Sequence, residues 1–303
     1  MTCLFITGAT GFIGSHLLEK LDVARYDHVY CLSRKNRVAQ PHAQSSNVIF
    51  LEGDLDNAQV YAPYLSACDT VVHLAAATGK VEREVYFSVN VRGTRILLEQ
   101  CERAGVRNLL FVSTIAVKYP NAMQYYYAQS KREAEMALRQ CRLRYAIARP
   151  TIVIGKESAT WKSLSTLAKL PFPVTFGNGL TNIQPIYIED LVSCLMVIMS
   201  EDLFCNQVFE LGGPEKITFD EFMRRIHFGY YGKASGVIHV PLGPVLALLS
   251  TLENHPWLPV PITTGQLSAF YNDGTVEPNQ VLDRCMQQMT NVDQMIRKVI
   301  SNE

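Results

Sequence analysis

The sequence predicts an α/β fold in which a doubly wound parallel sheet carries helices on both faces. In the first half of the chain, short strand-like runs alternate with helical patterns, as in "CLFIT", "HVYCLS" and "DTVVHLA". These runs are apolar on both faces, which is typical of strands buried in a parallel sheet. A glycine-rich turn joins the first run to the first helical pattern. Right-handed crossovers between such strands produce a doubly wound sheet.

The remaining elements follow in order along the chain. The helical pattern "SHLLEKL" comes after the glycine turn, and "NVIFLEGD", "NLLFVST" and "YAIARPTIVIG" are further strands. The segment "VYFSVNVRGTRILLEQCERAG" predicts a helix that ends at Gly105, since glycine often terminates helices. After Gly155 the alternation is lost, and Pro171, Pro173, Gly177 and Gly179 interrupt the pattern.

The second half returns to the sheet in "IQPIYIEDLVSCLMVIMSE" and "QVFELGG" and then becomes mostly helical. Thr218 is the expected N-cap of "FDEFMRRIHFGYYG", with Glu221 three residues later. We therefore assign residues 1–155 and 183–213 to a nucleotide-binding domain. Residues 156–182 and 214–303 are assigned to a small, mostly helical lobe that binds the substrate.

Composition excludes several classes of protein. The 303 residues are 48% hydrophobic, which is enough for a large core, and 28 basic residues balance 28 acidic ones. No long run of one sign marks a nucleic-acid or acidic-membrane partner. The eight cysteines are scattered, which predicts buried reduced thiols in a cytoplasmic protein. No His/Cys/Asp cluster has metal-ligand spacing.

The sequence shows neither a targeting signal nor a transmembrane pattern. The start "MTCLFITG" carries no signal-peptide pattern. The longest apolar runs, "LVSCLMVIM" and "VPLGPVLALLSTL", are shorter than the roughly 20 residues that span a bilayer. No transmembrane segment is expected. The second run predicts a core helix, with contact to a membrane or a partner as the alternative.

The turn "TGATGFIGSH" predicts nucleotide binding. Glycines at 8, 11 and 14 permit a tight turn, let the backbone approach a diphosphate and allow close packing of helix on strand. The helix that follows offers N–H donors and the positive end of its dipole. We therefore assign to the cofactor the turn residues Gly8, Thr10, Gly11, Phe12, Ile13 and Gly14.

The end of the second strand predicts NADP(H) in preference to NAD(H). A site for NAD usually places a carboxylate here to bind the ribose 2′-hydroxyl. Ser33 occupies that position, and Arg34, Lys35 and Arg37 follow it. These cations would attract a 2′-phosphate. The alternatives are a solvated basic loop and a site that accepts NAD(H).

The ends of the third and fourth strands complete the predicted cofactor site. Asp54, followed by Leu55, can accept a hydrogen bond from the adenine amino group. In "HLAAA" the small residues after His73 allow the backbone to lie against the cofactor, and we assign Leu74, Ala75 and Ala76 to it. His73 itself is given no chemistry, because a lone histidine is more often structural.

Together these motifs resemble the short-chain dehydrogenase/reductase superfamily in its extended or atypical branch. The matching stretches are "TGATGFIG", "GDL", "HLAA", "NVRGT", "FVST", "YAQSK" and "ARPTIVIG". The second half is similar in style to the group of the NADPH-binding subunit of complex I. The stretches that carry this similarity are "FGNGLTNIQPIYIEDLV", "VFELGGPEKITFDEF" and "WLPVPITTGQLSAF". The resemblance implies a Rossmann domain, a small substrate lobe and a homodimer formed by helices around 85–104 and 125–141.

Within "YYYAQSK", Tyr127 and Lys131 stand four residues apart and would share one face of a helix. A nearby ammonium favours the phenolate, so that Tyr127 could donate a proton to a carbonyl or remove one from an alcohol. By the family pattern, Thr114 holds the substrate oxygen, Ser113 lies nearer the cofactor, and Lys131 also binds the nicotinamide ribose. The alternative is an ordinary helix surface and strand-end hydroxyls.

A few further positions are assigned by their place in the pattern. Asn90 is interpreted as structural, tying its helix to neighbouring backbone. Pro150, Thr151 and Ile152 are assigned to the nicotinamide site, and residues 177–179 to a turn that borders the substrate. Glu189 and Asp190 are interpreted as the start of a helix, where acidic side chains are favoured.

The leading hypothesis is an NADP(H)-dependent oxidoreductase with Tyr127 as acid/base. A cofactor-binding subunit or assembly protein without turnover is one alternative, and a nucleotide-sugar epimerase or dehydratase is another. The short loop between Thr114 and Tyr127 favours the complex-I-like group over the sugar epimerases. The absence of a charged cluster in the lobe favours an apolar small-molecule substrate.

Overall fold

A computed structural model describes residues 3–34, 45–120, 125–253 and 265–301 of the chain. Its strands are β1 (Cys3–Thr7), β2 (His28–Ser33), β3 (Val48–Glu52), β4 (Cys68–His73), β5 (Asn108–Val112), β6 (Arg144–Pro150), β7 (Val153–Ile154), β8 (Val174–Phe176), β9 (Asn182–Ile183), β10 (Ile186–Tyr187), β11 (Gln207–Leu211), β12 (Ile217–Thr218) and β13 (Ile238–Val240).

The α-helices lie between these strands and after them. They are α1 (Phe12–Lys20), α2 (Ala58–Leu65), α3 (Arg83–Phe87), α4 (Thr94–Ala104), α5 (Tyr126–Arg139), α6 (Ala159–Ala168), α7 (Ile188–Ser200), α8 (Phe219–Tyr231), α9 (Leu242–Glu253), α10 (Gln280–Cys285) and α11 (Val292–Ile300). A π-helical segment, Ser88–Gly93, joins α3 to α4.

Seven strands form the main sheet in the order β11-β6-β5-β4-β1-β2-β3. The neighbours from β1 to β6 pair in parallel, which confirms the doubly wound sheet predicted from the apolar runs. The order reverses between β1 and β4, where Thr7 lies opposite His73. In such sheets ligands bind outside the carboxyl ends of the strands at this reversal, and the topology therefore locates the site.

The core beside the sheet is apolar, as the sequence pattern requires. Phe5, Phe111 and Ile147 of the strands pack with residues of α2, α4 and α5, such as Tyr61 and Leu97. Each of these side chains has no exposed surface. Burying a side chain of this size contributes about 1.5–3 kcal/mol to stability, and this packing therefore holds the strand ends in place.

The described chain separates into two compact units. The first consists of Met1–Thr114, Gln129–Arg149 and Val192–Phe209, and the second of Ile115–Ala128, Pro150–Leu191 and Glu210–Glu303. The second unit takes in residues 115–128, 150–155, 183–191 and 210–213, which the sequence pattern assigned to the nucleotide-binding domain. The roles of the two predicted domains stay predictions.

Several local expectations are met. Thr218 caps α8 by accepting a hydrogen bond from the Glu221 N–H at 3.2 Å. Gly105 ends α4 in the left-handed conformation with φ 75°. All eight cysteines are free, and six of them are buried. Among the described residues, no helix combines the length and the apolarity needed to cross a membrane.

Two local expectations are wrong. The stretch "YAIARPTIVIG" is not one strand: β6 ends at Pro150, and Val153–Ile154 pairs with β10 in a separate two-stranded sheet. Proline supplies no N–H for a continued ladder. The run "VPLGPVLALLSTL" is helical in α9 but is not a core helix. Over residues 241–248 every residue is exposed or half-buried.

Candidate functional site

A cavity of about 250 Å³ opens at the carboxyl ends of β1, β2 and β4 in the first unit. Ten of the residues that the sequence assigned to the cofactor line it: Gly8, Thr10, Gly11, Ser33, Arg34, Asp54, Leu55, Leu74, Ala75 and Ala76. They come from four separate stretches of the chain. The parallel topology brings these stretches to one edge of the sheet, where a nucleotide site is expected.

The glycine turn is held by contacts that a side chain would destroy. Gly8 has φ 72°, and a Cβ added there would lie 2.6 Å from the Ala75 nitrogen. A Cβ at Gly14 would lie 2.1 Å from the Gly8 carbonyl oxygen. The turn therefore packs directly against the segment after β4, where Leu74 N–H donates to the Thr7 carbonyl at 3.1 Å. The cavity wall is backbone at this point.

Helix α1 begins directly behind the turn. Gly11 is its N-cap, and no side chain caps the first turn. The N–H groups at the start of a helix have no intrahelical acceptor, and they carry the positive end of the helix dipole. Phe12 and Ile13 contribute such groups through their backbone, although their side chains do not line the cavity. Gly14 is buried and serves the packing of α1 on the turn.

The end of β2 carries the residues predicted to select the cofactor. Ser33 is buried, and its hydroxyl lies 3.3 Å from that of Thr10 across the cavity edge. Arg34 is exposed and lines the cavity. No carboxylate follows β2 within the described residues up to Arg34. Lys35 and Arg37, the other two predicted cations, lie outside the described residues.

Asp54 takes part in a local turn as well as in the cavity wall. Its Oδ1 accepts hydrogen bonds from the Asp56 and Asn57 N–H groups at 3.1 and 3.0 Å, which leaves Oδ2 for an amino group. Sequence reasoning missed four lining residues: Leu32, Gly53, Asp56 and Val89. Leu32, Gly53 and Asp56 are direct neighbours of predicted residues in the sequence, and this proximity could have identified them. Val89 lies in the π-helical segment, and no sequence signal marks it.

Two polar residues beneath the site are structural, as the sequence predicted. His73 lies between two hydroxyls, with Nδ1 2.7 Å from Thr7 Oγ1 and Nε2 2.9 Å from Thr94 Oγ1. Burial, aided by the charge of Lys131, lowers the pKa of His73 to about 3, so that it is neutral at neutral pH. Asn90 accepts from the Ala77 N–H at 2.7 Å and donates to Ser130 Oγ at 2.9 Å.

Lys131 is the most unusual ionisable group near the strand ends. It lies on α5, is 2% exposed, and places its Nζ 3.9 Å from the centre of the Phe111 ring. Burial lowers the pKa of Lys131 to about 7, partly offset by the Glu135 carboxylate. Glu135 is itself held by Arg149, with contacts of 2.9 and 2.6 Å. A lysine that titrates near neutrality is typical of functional sites.

The pKa of Lys131 predicts how stability depends on pH in the cofactor-free protein. Between pH 7 and its ordinary pKa of 10.5, the unfolded chain holds a proton that the folded chain has lost. Lys131 therefore contributes an increment to the free energy of unfolding that grows with pH across this window. Replacing Lys131 with methionine should remove this increment, so that the stability difference between the two proteins changes with pH. Urea unfolding at both ends of the window measures it, and equal slopes for the two proteins would contradict the assignment.

The remaining predicted residues divide between the two units. Ser113 and Thr114 follow β5, and Ser113 is buried with its N–H donating to the Ala148 carbonyl at 2.7 Å. Ser113 Oγ has no hydrogen-bond partner among the described residues. In the second unit, Tyr127 is half-buried at the start of α5, with its ring centre 5.8 Å from that of Tyr125.

Residues 150–152 lie at the end of β6 and in the turn beyond it. Pro150 is buried at the strand end, and the Thr151 hydroxyl donates to the Gln184 carbonyl at 2.5 Å. The Ile152 carbonyl accepts from the Ile186 N–H at 2.9 Å. The Thr151 hydroxyl is thus used within its own unit, and its predicted contact with the nicotinamide rests on its methyl group or backbone.

The first unit fits a nicotinamide dinucleotide in three respects. The turn at Gly8–Gly14 is a backbone cradle that a Cβ would fill. No side chain caps the first turn of α1, so that its N–H groups can bind an anion. Ser113 Oγ is a buried polar atom without a partner in the part of the chain that is described, and a ligand would satisfy it.

Comparison with known proteins identifies relatives over most of the chain. The UDP-glucose 4-epimerase of Vibrio cholerae is 26% identical over 248 residues, which cover 74% of this chain and 74% of that protein. The mitochondrial NADH-ubiquinone oxidoreductase 40 kDa subunit of Neurospora crassa is 21% identical over 277 residues, covering 90% of this chain and 72% of the subunit.

The fold is shared with solved structures. The UDP-glucose 4-epimerase of Thermotoga maritima, solved with UDP-glucose, superposes with a TM-score of 0.71 at 18% identity, covering 99% of this chain and 98% of the other. The model of the NAD dependent epimerase/dehydratase family matches residues 4–212, well over half of the chain. The chain therefore belongs to the NAD-dependent epimerase/dehydratase family, which confirms the resemblance seen in its motifs and places it among NAD(P)-dependent enzymes.

Proposed function

We propose that this protein is an NADP(H)-dependent oxidoreductase that transfers hydride to or from a carbonyl carbon, with Tyr127 as the acid/base. The observation that carries the proposal is Lys131, a buried lysine with a pKa of about 7 that lies one helical turn after Tyr127 on α5. Burying a lysine costs stability. The fold nevertheless keeps Lys131 buried, and it does so beside the strand ends that are followed by Ser113 and by the glycine turn.

In this mechanism the chain's own residues handle the proton and the substrate oxygen. When bound, the nicotinamide supplies or accepts the hydride. Thr114 hydrogen-bonds the substrate oxygen, and Tyr127 donates a proton to it during reduction or removes one during oxidation. The ammonium form of Lys131 stabilises the phenolate of Tyr127 and binds the ribose hydroxyls. Ser113 Oγ donates a hydrogen bond to the cofactor.

The preference for NADP(H) rests on the end of β2. Ser33 and Arg34 both line the cavity, and in the described part of the chain up to Arg34 no carboxylate follows β2 to bind a ribose 2′-hydroxyl. Arg34 can reach a 2′-phosphate through its guanidinium. Titration should therefore show tighter binding of NADPH than of NADH. Binding of NADH at least tenfold more tightly would contradict the preference.

Replacing Ser33 with aspartate should reverse the cofactor preference. A carboxylate at this position repels a 2′-phosphate and accepts the ribose hydroxyl, so that NADPH affinity should fall at least about tenfold while NADH affinity is kept or improved. Fluorescence titration of both cofactors measures this. Ser66→Asp adds the same charge at an exposed position and should change neither affinity.

The second unit supports an apolar substrate. Phe176, Phe219 and Phe270 form an aromatic cluster, with ring centres 5.1 and 4.3 Å from Phe270. Phe176 directly precedes the predicted substrate turn at residues 177–179. Of the arginines on α8, Arg224 pairs with Asp220, and Arg225 pairs with Glu215 and Glu221. These pairs reduce the positive charge that α8 could offer a diphosphate.

A second candidate reaction is the epimerisation or dehydration of a nucleotide sugar, favoured by the relative from Vibrio cholerae, which acts on UDP-glucose. One experiment separates the candidates. The purified protein is incubated with NADPH and a panel of apolar ketones and aldehydes, and in parallel with UDP- and dTDP-sugars under thermal-shift detection. NADPH oxidation supports the proposal. Stabilisation by sugar nucleotides without NADPH oxidation favours the second candidate.

No turnover with any substrate, together with tight NADPH binding, would contradict the proposed reaction and return the hypothesis of a non-catalytic subunit. A cytoplasmic location and a homodimer stay predictions from the sequence and its resemblance.

A further inference from the structure

Helix α9 exposes apolar surface that a soluble helix normally buries. From Leu242 to Leu252 it contains no charged residue, and Glu253 at its end is the first. Leu249 is buried, but Leu248 is 59% exposed and Leu242, Val245 and Leu246 are half-buried. A surface helix usually presents polar side chains to water. The exposed apolar side chains of α9 therefore indicate that an apolar partner covers them.

The apolar surface continues onto the elements next to α9. Besides Leu248, the exposed members are Leu170, Phe172, Phe228, Tyr231 and Ile238. We call residues 169–173, 228–240 and 242–249 together the apolar face. Single exposed apolar side chains are common, whereas a group of them on adjoining elements marks a candidate interaction site.

Contacts within the second unit show that these segments adjoin. The Tyr231 hydroxyl donates to the Lys169 carbonyl at 2.7 Å, which joins the end of α8 to the loop 169–173. The Ile238 N–H donates to the Pro173 carbonyl at 2.8 Å, and β13 pairs with β8. Leu242, the first residue of α9, packs against Gly177 directly after β8. The segments of the apolar face are thus neighbours within the second unit.

Charge selects among the partners that could cover this face. The 25-residue stretch "FGYYGKASGVIHVPLGPVLALLSTL", residues 228–252, contains no aspartate or glutamate and one lysine, Lys233. Lys169 lies on the adjoining loop, with its Nζ 4.3 Å from the centre of the Tyr230 ring. Segments that lie at a lipid headgroup boundary combine exposed aliphatic side chains with tyrosines and lysines. His239, also within residues 228–240, pairs with Asp220 of α8 at 2.9 Å.

We propose that the apolar face docks on the surface of a phospholipid membrane, with α9 lying in the interface. A helix of twelve residues is about 18 Å long, too short to cross a hydrocarbon core of about 30 Å. Because the whole chain has zero net charge, long-range attraction is weak and burial of apolar side chains provides most of the affinity. Lys169 and Lys233 add attraction to anionic headgroups.

Co-sedimentation of the full chain with lipid vesicles tests this proposal. One set of vesicles is phosphatidylcholine alone, and the other contains one third phosphatidylglycerol. We expect binding to both, stronger to the second. Leu248→Asp and Phe172→Asp should each lower the partition coefficient at least about tenfold, because each removes an exposed apolar side chain that the membrane would bury and adds a charge. Lys233→Gln should lower binding about fivefold on the anionic vesicles alone.

Met286→Asp is the matched control. Met286 directly follows α10, is 36% exposed, and belongs neither to the apolar face nor to the predicted dimer helices. The partition coefficient of this control variant should equal that of the unmodified protein. Thermal melts should show that all variants are folded. The experiment needs no turnover, and its result is therefore independent of the proposed reaction.

Three results would overturn the proposal. The first is no sedimentation of the unmodified protein with either set of vesicles. The second is unchanged binding in Leu248→Asp and Phe172→Asp. The third is a concentration-dependent dimer in light scattering that Leu248→Asp dissolves, without any vesicle binding, which would mean that a second copy covers the apolar face.

Discussion

Replacing Tyr127 with phenylalanine is expected to lower turnover roughly 10²- to 10⁴-fold, the range typical of losing a positioned general acid/base. The change removes one hydroxyl and keeps the ring, so that packing at the start of α5 is preserved. NADPH affinity should remain within about twofold, since the loss concerns the transition state and not binding. Stopped-flow measurement of NADPH oxidation, with NADPH titration in parallel, checks both expectations.

Tyr126→Phe is the matched control for this experiment. Tyr126 is the neighbouring residue on α5, is 37% exposed, and has Ser130 rather than lysine four residues later. Its removal should leave turnover unchanged. Equal loss in both variants would mean that the tyrosines act through the packing of α5. Unchanged turnover in Tyr127→Phe would exclude it as the acid/base.

The second large effect is expected at Gly14. Alanine there would place a Cβ 2.1 Å from the Gly8 carbonyl oxygen and 2.8 Å from the Ala9 Cα, both backbone atoms. The turn and α1 must then separate, and we expect the free energy of unfolding to fall by at least about 3 kcal/mol. Cofactor binding should be lost with the geometry of the turn. Urea unfolding and NADPH titration measure the two effects.

Gly105→Ala distinguishes steric overlap from backbone strain. Gly105 has φ 75°, where a side chain is disfavoured, but among the described residues beyond its own chain neighbours none comes within 4 Å of an added Cβ. Its replacement should cost about 1 kcal/mol and leave cofactor binding intact. Gly14 has no such conformational constraint, and alanine favours helices there. A smaller loss in Gly14→Ala than in Gly105→Ala would contradict the close packing of α1 on the turn.

Much of the candidate nucleotide site could be predicted because its signals are local. The turn at Gly8–Gly14, Ser33 with Arg34, Asp54 and "HLAAA" each follow a strand, and parallel strands place their carboxyl ends together. Ten predicted residues therefore line one cavity. Val89 could not be predicted, because it reaches the cavity through a π-helical segment that has no sequence pattern.

The surroundings of Lys131 show the opposite case. The spacing "YxxxK" predicts a shared helix face, but it does not tell whether the lysine is solvated or buried. Burial against Phe111 depends on the packing of α5 on β5, two elements that are separate in the chain. That packing, and not the motif, lowers the pKa of Lys131 to about 7.

Helix α9 was misjudged for a related reason. An uncharged run such as "VPLGPVLALLSTL" has the same composition whether it is buried in a core or exposed for a partner. Hydrophobicity predicts that a side chain is removed from water, but it does not identify the neighbours that cover that side chain. Those neighbours come from other parts of the chain or from a partner.

The sequence by itself determined the parallel sheet, the glycine cradle, the family and the residues at the strand ends, because each depends on the order and spacing of neighbouring residues. Only the tertiary structure decided the ionisation of Lys131, the unsatisfied hydroxyl of Ser113 and the exposure of α9. Desolvation, hydrogen-bond satisfaction and burial arise from contacts between distant segments, and spacing along the chain does not specify them.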